Sequence, residues 1–345
     1  MFGLDISDRM LRLVSLEMKR KKAFIESVNE VPIPPGIINE GEITKPEALQ
    51  SIISSLIQTA KPRKPRSKKI VVCLPERKSF IKILHLNGKS EINDKTIETE
   101  LANHIPDDLS TMFIDWQIVN KGTDNESILV GAVPKSLVES YQDVISKAGF
   151  IPYVLEIESA AIVRAILPEK PSNPKESFLV IDIGLDRTSF IIVDHSTIQF
   201  TSAVAEISGN LMTSLIMKKL SLSYKEAEKA KRLGGFDKSV GKGAIASILN
   251  NQLETLVAKI NQVIEFYQAH HTGENPISNI LLTGGGASLL ELENELVSRL
   301  NLKVEKGNSL LNISNTDSHL ITSKTQPSFS TSIGLALRAL HYDNT

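Results

Sequence analysis

Apolar positions along the chain fall into short strand-like runs, one helical face, and then a second set of the same kind. Residues 2–6 are apolar apart from Asp5, and "MLRLVSLEMK" alternates with a period of two. "KKAFIESVNEVPIP" alternates again and stops at prolines. From Lys45 to about Thr59, Leu49, Ile52, Ile53, Leu56 and Ile57 share one face of a helix. "KIVVCLP" then reads as a short buried strand, so the order is β-β-β-α-β.

The second set starts at "FLVIDIGLDRTSFIIVD", residues 178–194, followed by "TIQFTSAVAEI", a helix near Leu211–Leu220 and the buried strand of "ISNILLTGGG". The repeat lies in element order and in the matching places of Asp5 and Asp182, not in close identity. Residues 79–157 between the two sets read β-α-β-β-α-β, with helices around Glu91–His104 and from Lys135 to Ala148 and Gly149 as the stop signal. Residues 221–275 are mainly helical, with a long amphipathic stretch from Ala244 to His271. The proline-rich "PEKPSNPKE", 168–176, is the best boundary. The expected fold is α/β: duplicated β-β-β-α-β domains with an inserted subdomain in each half. The expected parts are 1–78 with 151–170 and 331–345; 79–150; 177–210 with 276–330; and 211–275.

Composition narrows the function. Hydrophobic residues make up 41% and charged residues 23% of 345, so the chain has enough apolar material for a sizeable core. A net charge of −1 gives no global basic field, and nucleic acid is not an implied partner. Cys73 is the single cysteine, set in the apolar "IVVCL", which fits a buried role and a reducing compartment. No run approaches the ~18 apolar residues of a transmembrane helix, and the N-terminus lacks a signal-peptide pattern. A soluble cytoplasmic protein is expected. The basic run "KPRKPRSKK", 61–69, reads as a solvated loop, with attraction to anionic lipid as the alternative. His270 and His271 read as a helix end rather than a metal site, and Trp116, with Phe113, as core or interface.

The chemistry sits at the turns. Asp5 and Asp182 each end the first strand of a repeat, beside small residues that let backbone N–H groups approach a phosphate. Such carboxylates hold waters on a Mg²⁺ ion that bridges phosphates. In "LLTGGGAS" a strand runs into three glycines and then a helix, which presents N–H groups to a nucleotide.

The two acidic hairpins, the "TGGGA" turn and the doubled element order resemble the actin-like (ribonuclease H-like) ATPase superfamily. Within it the chain is most similar to the PilM family of type IV pilus assembly. "FGLDIS", "VPKSLVESYQDVISKAGFIPYVLEIES", "LSLSYKEAEKAKR", "LLTGGGASLLELENEL" and "SIGLALRAL" carry that likeness in order. The resemblance implies an actin-like fold that binds ATP or ADP with Mg²⁺. By position, Asp5 and Ser7 fall in the first phosphate motif, and Asp182, Gly184 and Thr188 in the second. Asp5 and Asp182 would hold Mg²⁺ through water. Glu158 matches the acidic residue that positions the attacking water. Glu228 and Lys231 match the pair around ribose and adenine; Gly284, Gly285 and Gly286 match the adenosine motif, and Gly334 the second connecting motif.

The implied role is a nucleotide-bound cytoplasmic adaptor, peripheral at the inner face of the inner membrane. Its partner is the N-terminal cytoplasmic tail of a PilN-like membrane protein, docked beside the 79–150 insertion. Membrane contact is then indirect, and self-association stays open. An active ATPase or small-molecule kinase of the same fold is the alternative, with an FtsA-like division protein as a third. Ser7 in place of the usual glycine, the additional Asp8, and Arg12 in place of lysine point to at most slow ATP turnover.

Overall fold

The computed structural model describes residues 1–345 apart from 88–91, 106–107, 122–124, 170–172, 174–175, 271–274, 315–320 and 344–345. Most of the proline-rich connector's interior, Glu91 and His271 thus lie outside the described residues. The chain divides into two compact units: Met1–Ile162 with Thr197–Phe200 and Thr331–Thr345, and Val163–Ser196 with Thr201–Ser330.

The first unit opens with an antiparallel meander of β1 (Phe2–Ile6), β2 (Met10–Lys19) and β3 (Lys22–Pro32). The short pair β4 (Ile38–Asn39) and β5 (Glu42–Ile43) precedes α1 (Pro46–Gln58). Pro46 starts α1 because its missing N–H has no partner to lose there, and Leu49, Ile53, Leu56 and Ile57 form the buried face. β6 (Lys61–Pro62) pairs with β3, and β7 (Lys69–Leu74) runs parallel to β1. Then come β8 (Phe80–Asn87), α2 (Asp94–Leu101), β9 (Met112–Lys121), β10 (Asn125–Pro134), α3 (Lys135–Lys147) and β11 (Ile151–Ile157). Gly149 follows α3 at φ +89°, as a stop residue should. β11 returns to pair with β7, giving the order β11-β7-β1-β2-β3-β6. β8, β10 and β9 are antiparallel neighbours in that order, with β9 at the edge and Phe200 pairing with Lys82 of β8 on the other side.

Leu137, Val138, Tyr141, Val144 and Ile145 of α3 join the core formed by β1, β2 and α1. Ile97 and Leu101 of α2 close onto β8 and β10. Among the described residues, the large apolar side chain left exposed on the inserted segment is Phe113, at 48%. Trp116 lies on the other face of β9, packs against the α2 cluster, and donates through Nε1 to Asp94 Oδ1 at 2.9 Å.

The chain continues through α4 (Glu158–Ile166), β12 (Phe178–Ile183), β13 (Thr188–Asp194), β14 (Thr197–Val204), α5 (Gly209–Leu220), α6 (Tyr224–Gly234) and α7 (Ala244–His270). β15 (Asn279–Thr283), α8 (Leu292–Leu300), β16 (Lys303–Lys306) and α9 (Ser330–Asp343) complete it. In the second unit β16, β15, β12 and β13 are neighbours in that order, with β15 parallel to β12 and β16. This repeats β11-β7-β1-β2 of the first unit, one strand further than the sequence pattern reached. Asp194 ends β13 fully buried and accepts from Tyr267 Oη and Asn275 N at 3.0 Å and from Asn275 Nδ2 and His195 N at 2.8 Å. Among the described residues no helix is long and apolar enough to cross a membrane.

Candidate functional site

The first acidic turn is built from short-range bonds. Ser7 N and Oγ both donate to Met10 O at 3.0 Å, and Met10 N donates back to Oγ at 3.2 Å, so the Ser7 hydroxyl closes the turn between β1 and β2. The additional carboxylate, Asp8, accepts from Gly41 N at 2.9 Å and is thereby tied to the β4–β5 turn. Asp5 is 3% exposed and has Arg12 Nη1 3.7 Å from Oδ2. Arg12 Nε reaches Glu30 at 3.2 Å, so one guanidinium holds two carboxylates in place.

Cys73 donates through Sγ to Asp5 Oδ1 at 3.4 Å. Burial first, and then the charges of Asp5 and Glu158, push its thiol well above the ordinary value. Such a shift favours the neutral thiol. The apolar run around this cysteine announces its burial but not its bond to Asp5. Glu158 itself starts α4 and is 9% exposed.

The second acidic turn meets the glycine loop directly. Asp182 pairs with Thr283 across the parallel β12–β15 register, which brings residue 284 alongside it. Gly284 has φ +78°, and a Cβ there would lie 2.4 Å from Asp182 Oδ1 and 2.6 Å from Ile183 O. A Cβ on Gly286 would lie 2.2 Å from Ile183 Cγ2. Gly285 has no such crowding; its nearest neighbour is Ser328 Oγ at 3.7 Å. Two of the three glycines are therefore fixed by the close approach of the loop to β12. Gly184 N bonds Arg187 O at 2.9 Å, and Gly209 N at the start of α5 bonds Gly184 O at 3.0 Å. Thr188 is fully buried and donates to Ile207 O at 2.8 Å, so it anchors the approach to α5.

A helix directly after the glycines was expected, and that is corrected. A 3₁₀ turn over Gly285–Ser288 comes first, Leu289 is extended, and α8 begins only after Glu291, at φ +59°. The cause is tertiary: Phe236 N donates to Leu290 O at 2.8 Å, and a Cβ on Gly235 would lie 2.5 Å from Leu290 N. This contact pins the loop after the glycines to the end of α6.

α6 carries the pair expected around ribose and adenine. Ser223 caps it in a reciprocal box with Glu226. Lys231 is 5% exposed; its Nζ reaches Glu228 Oε2 and Thr213 Oγ1 at 2.7 Å and Gly209 O at 2.8 Å. All three ammonium hydrogens thus have protein acceptors. Burial pushes the Glu228 carboxyl up, but hydrogen bonds from Lys231 and Thr213 and the Lys231 charge outweigh it and hold it below its ordinary value. Burial draws the Lys231 ammonium down against the pull of Glu228. The pair is a buried clasp between α5 and α6. Lys231→Met should cost about 2 kcal/mol, because Gly209 O and Glu228 each lose a buried donor while Arg232 still holds Glu228. An unchanged urea midpoint would show that the clasp contributes nothing.

Gly334, expected with the cofactor-binding residues, sits inside α9 at a helix crossing. A Cβ there would lie 1.8 Å from Ala161 O of α4. The glycine is required by backbone contact within the first unit.

Among the described residues no three His, Cys, Asp or Glu side chains converge as direct metal ligands. The second turn nevertheless fits a hydrated cation: Asp182 is half-buried, and the missing side chain at 284 lets the glycine loop pack directly against its Oδ1, so a carboxylate able to hold a hydrated cation sits beside that loop.

Several solved structures share this architecture over nearly the whole chain. A PilM–PilN type IV pilus biogenesis complex matches with a TM-score of 0.83 at 22% identity, covering 98% of each chain. The ethanolamine utilization protein EutJ from Carboxydothermus hydrogenoformans matches at 0.57 and 14%, over 97% of this chain and 88% of its own. MreB5 of Spiroplasma citri bound to AMPPNP matches at 0.57 and 13%, over 99% and 96%. At these identities the likeness shows the fold, which is actin-like. The family model of the type IV pilus assembly protein PilM matches residues 3–340, and the chain therefore belongs to that family.

Proposed function

We propose that this chain is a nucleotide-binding adaptor of type IV pilus assembly, which takes Mg²⁺ with ATP or ADP and holds the N-terminal cytoplasmic tail of a PilN-like membrane protein. The observation that carries the nucleotide reading is the close approach of Gly284 to Asp182, which puts a half-buried carboxylate directly beside the glycine loop. Asp182 would hold the cation through water. Gly285 and the turn at Gly184 would lie along the nucleotide. The actin-like relative MreB5 carries AMPPNP in its solved structure, which supports the same ligand class here.

The partner reading is supported by the likeness to the PilM–PilN complex. In this chain the α3 face is closed, so the tail would use Phe113 and the open edge of β9, adding main-chain hydrogen bonds there. The adaptor would work at the inner face of the inner membrane.

The test combines two measurements on nucleotide-free protein. Saturating Mg²⁺-ATP at ~100 times its Kd should stabilise the fold by about 2.7 kcal/mol, read as a rise in Tm. Asp182→Ala should remove most of that rise. A labelled tail peptide should bind in the micromolar range, about −8 kcal/mol, and a scrambled peptide should not. No rise in Tm with either ATP or ADP would overturn the nucleotide reading, and equal binding of both peptides would overturn the partner reading.

A further inference from the structure

We infer that the rim of the first unit opposite its acidic turn is a direct docking surface for an anionic phospholipid membrane. The inference does not rest on the nucleotide reading.

Strand direction makes the rim. β1 and β7 both begin there, at Phe2 and Lys69, because they run parallel with Phe2 opposite Ile70. β2 ends there and β3 starts there, with Lys19 opposite Lys22. Asp5 and Glu158 lie toward the other ends of β1 and β11, so this rim is no part of the phosphate turn.

Two basic segments meet on this rim. Residues 19–22 are Lys-Arg-Lys-Lys, all exposed, at the tip of the β2–β3 hairpin. Residues 61–69 add six more basic side chains, all exposed. β6 pairs with β3 through Ser27 and Pro62, and Arg63 bridges Glu26 at 2.7 Å and Glu17 at 3.3 Å. Glu17 also holds Lys19, so both carboxylates are paired, and Arg20, Lys21, Lys22, Lys64, Arg66 and Lys68 remain exposed. In a chain of net charge −1 such a concentration is local, and it produces a field the whole molecule does not have.

Apolar side chains stand beside these charges, as a membrane surface needs and a simple polyanion does not. A cavity of about 250 Å³ opens beside the 61–69 segment. Met1, Leu16, Met18 and Leu340 form its apolar part, and Ser15, Arg66, Ser67 and the paired carboxylates Glu17 and Glu26 its polar part. Met18 is 43% exposed. Tyr153, 48% exposed, lies under Lys69 Nζ at 4.2 Å and edge-on to Tyr342. Cations over an exposed tyrosine and methionines next to an arginine match the polar-to-apolar gradient at a lipid headgroup layer. A lipid phosphate would meet Arg66 and Ser67, with Met18 and Tyr153 against the glycerol layer.

The experiment is vesicle co-sedimentation of the full chain, with vesicles of phosphatidylcholine containing about 30% phosphatidylglycerol and of phosphatidylcholine alone. Arg20 and Lys21 have φ +50° and +62°. A double variant Arg20→Asn, Lys21→Gly therefore suits the turn and should keep the fold. A second variant, Lys64→Ser with Arg66→Ser, leaves the Arg63 bridges intact. We expect binding to the anionic vesicles only, a loss of about tenfold in partitioning for each variant, and release near ~0.5 M salt. Equal binding to both vesicles, no binding to the anionic ones, or variants that partition like the parent would overturn the proposal. Tighter binding of a single-stranded oligonucleotide than of the anionic vesicles at equal salt would overturn it too and assign the rim to nucleic acid.

Discussion

Gly334→Ala should lower the first thermal transition by about 8 °C, a loss of about 3 kcal/mol. In an ordinary helix interior the same change stabilises by about 1 kcal/mol, because alanine is the better helix former. The opposite sign is expected because a Cβ would lie 1.8 Å from Ala161 O and 2.5 Å from Ala161 C. These are backbone atoms and cannot rotate aside, so α9 and α4 must separate. Differential scanning calorimetry decides the matter: an unchanged or raised transition would mean that the helices do not cross as closely as described.

Asp194→Ala should cost the second unit about 4 kcal/mol. The carboxylate is fully buried and accepts four hydrogen bonds, and its loss strands Tyr267 Oη and the Asn275 donors. Burial by itself raises this carboxyl, but the bonds from Asn275, Tyr267 and His195 prevail and hold it below its ordinary value. A depressed carboxyl contributes stability that is complete above the unfolded value, about 3.9, and is lost as pH falls through the folded one. The parent protein should therefore lose stability in acid below about pH 4 more steeply than Asp194→Ala does. Urea midpoints at a series of pH values measure this. Parallel curves for the two proteins would remove Asp194 from the account of acid unfolding.

The long regular elements were legible because their periodicity is internal to each segment. The helix expected over Lys45–Thr59 is α1, Pro46–Gln58, and the one expected over Lys135–Ala148 is α3, Lys135–Lys147. Asp5 and Asp182 announced themselves by interrupting apolar strands. β16 was illegible: between two lysines it offers a single buried residue, Val304. The delay of α8 was equally hidden, since Leu289 and Leu290 look like helix positions and only the close approach of Gly235 and Phe236, more than fifty residues earlier in the chain, holds Leu290 out of the helix. Side-chain engagements were lost for the same reason. Nothing local to "AEKAK" says that Lys231 meets Gly209 O, and nothing local to Asp8 points to Gly41. Asp194 carried one readable signal, a strand-ending aspartate before the turn residues His195 and Ser196, but turn chemistry alone accounts for that pattern.

Gly41 is bonded on both sides. Its N–H goes to Asp8 in the first acidic turn, and its carbonyl accepts from Tyr141 Oη of α3 at 3.0 Å. Pro75 would lie 2.7 Å from any Cβ placed there, which fixes the residue in position. One amino acid thus acts as a rivet between the inserted helix and the turn that holds Asp5. A force that slides α3 must either drag the turn with it or break one of these two bonds, so strain applied by a partner on the inserted segment has a short mechanical route to the acidic hairpin.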